Sequence, residues 1–101
     1  MVNVVRATYY YRDGTFSETY DSTKTLHRED GPAIEWDYGP KQWWVDGGLH
    51  RLDGPAVERR DGAVSWWFIH NKRLSEEEFN QHPLTLEHRF QKALEEELLN
   101  D

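Results

Sequence analysis

Apolar and polar positions alternate along the first three quarters of the chain and change to a spacing of three or four in the last quarter. Residues 2–11 and 15–20 place β-branched and aromatic side chains at alternate positions, which predicts two strands. Arg12-Asp13-Gly14 lies between them and predicts a tight hairpin, with Asp-Gly supplying the positive φ of a type I′ turn. Short strands are expected over 33–36, 41–45, 56–59 and 63–68, turned at Tyr38-Gly39-Pro40 and at Asp61-Gly62. Ser75 and Glu78 then form a capping box that opens a short helix, and His82-Pro83 ends it. A longer helix is expected from Thr85 as N-cap to about Leu99. Its Leu86, Phe90, Ala93, Leu94 and Leu98 make one apolar stripe, expected to lie across a face of the sheet. The fold class is mainly β with C-terminal α, an antiparallel β-meander of about three hairpin repeats with one short and one longer helix packed on it.

The middle of the chain says one phrase twice. Leu26-His27-Arg28-Glu29-Asp30-Gly31-Pro32-Ala33 returns twenty-three residues later as Leu49-His50-Arg51-Leu52-Asp53-Gly54-Pro55-Ala56. Trp43-Trp44 returns at the same offset as Trp66-Trp67. Such a period is the mark of a repeat architecture. One domain over 1–101 follows, with a degenerate first hairpin at 1–25, two repeats at 26–74 and an acidic helical segment at 75–101. With side chains alternating across a pleat, Trp43 and Val45 should share a face with Trp66 and Phe68, and Trp44 the other face with Trp67.

The repeat resembles MORN-type repeats, in which an aromatic residue is followed by Gly three on and His six on; Trp44, Gly47 and His50 have that spacing. A closer likeness is to MORN-variant repeats reading His-Arg-x-Asp-Gly-Pro-Ala with a following Trp-aromatic pair, of the kind found in small proteins of tailed phages and large DNA viruses. The closing stretch Asn71-Lys72-Arg73-Leu74-Ser75-Glu76-Glu77-Glu78-Phe79 fits the same pattern. Arg28 and Arg51 stand where ordinary MORN units carry Gly. Phe68-Ile69-His70-Asn71 against Val45-Asp46-Gly47 indicates a one-residue insertion with Asn at the turn. The resemblance implies a curved β-meander used for binding, with no particular ligand.

Composition narrows the function. The 101 residues are 37% hydrophobic and 31% charged, with five Trp, five Tyr and four Phe to supply burial. The chain has no cysteine, so disulfides, thiolate metal sites and Cys nucleophiles are excluded. Of the net charge of −7, residues 75–101 hold −6, from two basic and eight acidic side chains. Stable nucleic-acid binding is not expected, because it rests on clustered Lys and Arg. No membrane span or signal segment is read, so a cytoplasmic protein is expected, in the host cell if phage-encoded.

His27, Arg28 and Asp30, with His50, Arg51 and Asp53, invite an acid-base or phosphate reading. They recur with the fold's period, however, as Gly31 and Gly54 do, so a structural role in the repeat is preferred for all eight. No Gly-rich phosphate loop, His-Glu-x-x-His or Gly-x-Ser-x-Gly occurs; no catalytic residue, metal ligand or cofactor is assigned and no enzyme is expected. The residues expected to face a partner are Trp43, Trp44, Trp66 and Trp67 with Arg51, Arg59 and Arg60. The function expected is a non-enzymatic protein-binding module, in its most concrete form a small phage-type inhibitor or counter-defence protein that occludes a host protein. A nucleotide-like ligand sponge using Trp and Arg, and a purely structural or oligomerising module, are the alternatives. Self-association through an exposed edge strand is a further expectation.

Overall fold

Among the described residues seven short strands zip into one antiparallel ribbon, and two more form a separate hairpin. The computed structural model describes residues 6–59 and 65–99. Among them are β1 (Ala7–Tyr10), β2 (Phe16–Ser17), β3 (Ile34–Trp36), β4 (Lys41–Gln42), β5 (Trp44–Val45) and β6 (Gly48–Leu49). They are followed by β7 (Val57–Glu58), β8 (Ser65–Ile69), β9 (Lys72–Leu74), α1 (Glu76–Gln81) and α2 (Pro83–Leu99). The ribbon order is β2-β1-β3-β4-β7-β8-β9, and β5-β6 is the separate hairpin. The expected meander with C-terminal helices is therefore present, with more and shorter strands. Strand residues expected at 2–5 and 63–64, the Asp61-Gly62 turn and Arg60 lie outside the described residues.

One break explains the shortness. At Trp43 the chain changes neighbours: its N–H donates to Ala56 O at 2.8 Å, and its carbonyl accepts from His50 N at 3.0 Å. The strand expected over 41–45 is thus two strands with different partners. β5 and β6 close through Asp46 (φ 51°) and Gly47 (φ 78°), the two consecutive positive φ angles of a type I′ turn. His70 (φ 48°) and Asn71 (φ 64°) make the same turn between β8 and β9. The first hairpin is different. Only Gly14 is left-handed there, Gly14 N donates to Tyr11 O, and Asp13 Oδ1 accepts from Thr15 N, so the expected type I′ turn is replaced by a longer bulged loop.

The insertion changes the match between repeats. Ile34 pairs with Gln42, but Val57 pairs with Trp66, so the second hairpin is one residue longer. Trp66 therefore stands where Gln42 stands, Trp67 where Trp43 stands, and Phe68 where Trp44 stands. A shift of one residue moves every side chain to the other face, so the expected grouping of the tryptophans is corrected. Tyr9, Ile34, Gln42, Val57 and Trp66 form a cross-strand row on one face. Thr8, Glu35, Lys41, Glu58 and Ser65 form the next row, on the other.

The two faces carry their main buried clusters at opposite ends. On the first face Tyr11, Leu26 and Ile34 are buried together, with Tyr9, Trp36 and Trp44 against them, near the chain's start. On the second, Ile69, Leu74 and Phe79 are buried with Leu52, Trp67 and Leu84, under α1. The capping box of α1 is formed as expected: Ser75 Oγ accepts from Glu78 N at 3.0 Å and Glu78 Oε1 accepts from Ser75 N at 2.9 Å. Helix α2 starts earlier than expected. Pro83 is its first residue, where a missing N–H costs nothing, and His82 Nδ1 accepts from Leu84 N at 3.1 Å. Thr85, expected as the N-cap, is instead fully buried. The larger correction concerns the stripe. Leu86, Phe90, Leu94 and Leu98 point away from the sheet, and α2 packs on the body through Leu84, Thr85 and the His88 side.

Candidate partner-binding face

The repeated motif builds a clamp, and the clamp is the same in both copies. In the second repeat Arg51 Nε donates to Asp53 Oδ1 at 2.7 Å, while Nη1 donates to Pro55 O at 3.1 Å and Glu58 Oε2 at 3.0 Å. Its guanidinium lies 3.7 Å from the Trp43 ring centroid. In the first repeat Arg28 Nε donates to Asp30 Oδ1 and Nη1 to Pro32 O, both at 3.1 Å, and the guanidinium lies 3.9 Å from the Tyr10 ring. Stacking plus several charge-assisted hydrogen bonds is a structural use of arginine. Gly31 and Gly54 serve this clamp rather than a left-handed turn. A Cβ there would meet Arg28 Cζ at 3.0 Å and Arg51 Cζ at 2.9 Å, respectively.

The histidines hold the turn that ends each unit. His27 Nδ1 accepts from Asp46 N, and His50 Nδ1 accepts from His70 N, each at 2.9 Å. Leu26 O and Leu49 O accept from Gly47 N and Asn71 N beside them. Each repeat thus straps the type I′ turn at its own C-terminal end. The His50 and His70 rings stack at 4.5 Å. Burial, and then the His70 charge, hold the His50 imidazole below its ordinary value. Among the described residues no group of three or more His, Cys, Asp or Glu is placed to hold a metal ion.

Of the residues expected to face a partner, the structure separates four from the rest. Trp44 belongs to the first core, its Nε1 donating to Gln42 Oε1 at 2.9 Å. Trp67 is held under α1. Trp43 is capped by Arg51, whose Nε and Nη1 are engaged in the clamp. Trp66 and Arg59 come together elsewhere, where the first face lies beyond its core. They line a groove of about 660 Å³ with Tyr38, Pro40, Gln42 and Val57. Arg73 places its guanidinium 5.5 Å from the Trp66 ring. Tyr38 lines the groove, although the sequence marks it only as part of a turn, and Arg73 reaches Trp66 through the β8–β9 register, which the alternation pattern alone does not show. Gly39 is required at that turn by crowding: a Cβ would stand 2.8 Å from Trp36 Cβ.

The class defined by these features is a strap-linked antiparallel β-repeat with a helical C-terminal extension and a half-open aromatic face. No protein-family model, no curated protein and no solved structure matches the chain. No helix among the described residues is long and apolar enough to cross a membrane.

Proposed function

We propose that this chain is a non-enzymatic protein-binding module that seats a partner protein on the open end of its first sheet face, around Trp66 and Tyr38. The observation that carries the reading is the groove itself: two aromatic rings, Val57 and Pro40 at its centre, and Arg59 and Arg73 beside Trp66. Trp, Tyr and Arg are the side chains that most often dominate protein interfaces. The occupant that fits is an apolar side chain of a partner. Most of the net charge of −7 lies in residues 75–101, and it favours a partner with a basic patch facing that segment. The most concrete form is a small inhibitor of the phage counter-defence kind, occluding a host protein's working surface.

Trp66→Ala and Tyr38→Ala test this, with Phe16→Ala on a distant exposed site as control and circular dichroism to check folding. Capture of one defined partner from the native host is expected to be lost with the first two and kept with the control; equal capture by all three contradicts the reading. The two arginines near Trp66 also suit a planar anion, which keeps a nucleotide-like ligand sponge as the second reading. Quenching of Trp fluorescence by free nucleotides, with no protein partner present, would favour it. Arg51, expected among the partner-facing residues, uses Nε and Nη1 in its clamp.

A further inference from the structure

The side chains around the groove at Trp66 offer far more hydrogen-bond donors than acceptors. Val57 is buried and forms its floor, with Tyr38, Pro40 and Trp66 around it. Gln42 lines the same groove, and its Oε1 accepts from Trp44 Nε1 at 2.9 Å. An indole N–H can only donate, so this bond fixes the amide and leaves its NH2 over. Among the described residues neither that NH2 nor the Trp66 indole N–H has an acceptor. Two guanidinium groups, which are also pure donors, stand on the Trp66 side. Arg59 is in the lining, and the exposed Arg73 lies 5.5 Å from the Trp66 ring centroid. No Asp or Glu is among the described lining residues. We propose that the groove takes a proline-rich extended segment of a partner protein, with a carboxylate next to the prolines. This rests on the protein-binding reading above and names the kind of segment that it seats.

Backbone hydrogen bonding decides between the forms such a segment could take. The groove lies on the face of the sheet, where β4 is paired with β3 and β7, and β7 with β8. No strand edge is open there, so an extended chain of ordinary residues would lose water from its N–H groups without finding acceptors. A helix has the converse fault. Its carbonyls are engaged within it, and the Gln42 and Trp66 donors would be covered unmet. A polyproline II segment has unbonded carbonyls, and its prolines have no N–H. Its rings pack on aromatic side chains, and its stiffness lowers the entropy lost on docking.

Charge sets what flanks the prolines. Among the described residues the Arg73 guanidinium has no carboxylate within ion-pair reach, and its ring contact is with Trp66. A Glu or Asp beside the last proline, lying over Trp66, completes that corner. The basic patch that faces residues 75–101 belongs to another part of the partner.

NMR titration of the full chain with a synthetic Pro-Pro-Leu-Pro-Pro-Glu peptide tests the inference. The Trp66 indole N–H and Gln42 NH2 signals are expected to shift saturably, and the Phe16 amide to stay in place. Replacing the prolines by alanine should weaken binding about tenfold or more. A peptide ending in Lys should bind about two- to fivefold more weakly, a preference that Arg73→Glu abolishes. No shift at millimolar peptide overturns the inference. So does equal binding of the alanine peptide, or saturable shifts with free nucleotides alone. These arms use the wild-type protein and do not depend on whether a groove variant folds. A silent peptide with partner capture still lost in Trp66→Ala leaves the protein-binding reading standing and removes only the proline segment. A silent peptide with capture unaffected by Trp66→Ala removes both.

Discussion

Gly54 has no left-handed backbone to account for it; it leaves room for the guanidinium of Arg51. A methyl group there displaces Arg51 from Asp53, Pro55 O and Glu58, so Gly54→Ala is expected to lower stability by about 1–2 kcal/mol. In an Arg51→Ala background the conflict is gone, and the same change should stabilise by about 0.4–1 kcal/mol through the unfolded chain. A double-mutant cycle by urea denaturation measures this, and additive effects would contradict the clamp. His50 acts at the same scale through its protonation state. Neutral His50 accepts the His70 amide at Nδ1, which a protonated ring cannot do. Burial and the neighbouring His70 depress its folded pKa below the ordinary value of 6.5, so the unfolded chain binds the proton more readily. Stability from this group is complete above pH 6.5 and declines as pH falls through the folded value. Urea midpoints should drop on acidification in the wild type and drop less in His50→Gln; parallel curves would show that His50 is not the titrating strap.

Helices α1 and α2 differ in what holds them, although either reads as amphipathic. Phe79 is buried against Ile69, Leu74 and Trp67, so Phe79→Ala should cost about 3–5 kcal/mol. Phe90 is mostly exposed, so Phe90→Ala should stay within about 0.5 kcal/mol. Thermal melts of both variants decide the matter, and equal losses would place the Phe90 face of α2 on the body. Local signals in the sequence were legible: the Ser75–Glu78 capping box, the break at His82-Pro83, and the strand-turn-strand period are each set by neighbours a few residues apart. The direction of the α2 stripe was not, because periodicity says that a face wants cover without saying what supplies it. The tryptophan grouping failed for a related reason. Counting by the twenty-three-residue offset placed Trp66 with Trp43, but one extra residue between Val57 and Trp66 reverses the faces, and only ladder register reveals it. Asp13-Gly14 and Asp46-Gly47 likewise share a dipeptide and differ in turn, since Asp13 caps Thr15 in one and His27 holds Asp46 in the other.

Among the described residues, the two clusters of larger buried side chains share no residue, one around Leu26 and Ile34 and one around Ile69 and Phe79, with Ala33, Ala56 and Val57 buried outside both. The described residues extend 49 Å along their longest axis, with a radius of gyration of 15.4 Å where a compact chain of this size has about 13 Å. Between the clusters runs the β4–β7 ladder, which pairs Lys41 with Glu58 and Gln42 with Val57, and the strap from His50 to the turn at His70. Repeat proteins of this build are stabilised by unit and neighbour contributions rather than by one shared core. Weakening one end should therefore uncouple it from the other. In Phe79→Ala, amide NMR signals of Ile69 and Leu74 are expected to vanish at lower urea than those of Tyr9 and Ile34. In the wild type, where the C-terminal cluster is intact, the two sets should move closer together. Leu26→Ala should reverse the order, because it damages the first cluster and leaves Phe79 in place. Coincident transitions in both variants would mean that the sheet transmits the loss along its whole length. The open groove at Trp66 would then rest on one cooperative unit, because Val57 and Trp66 bridge the two ends of that sheet.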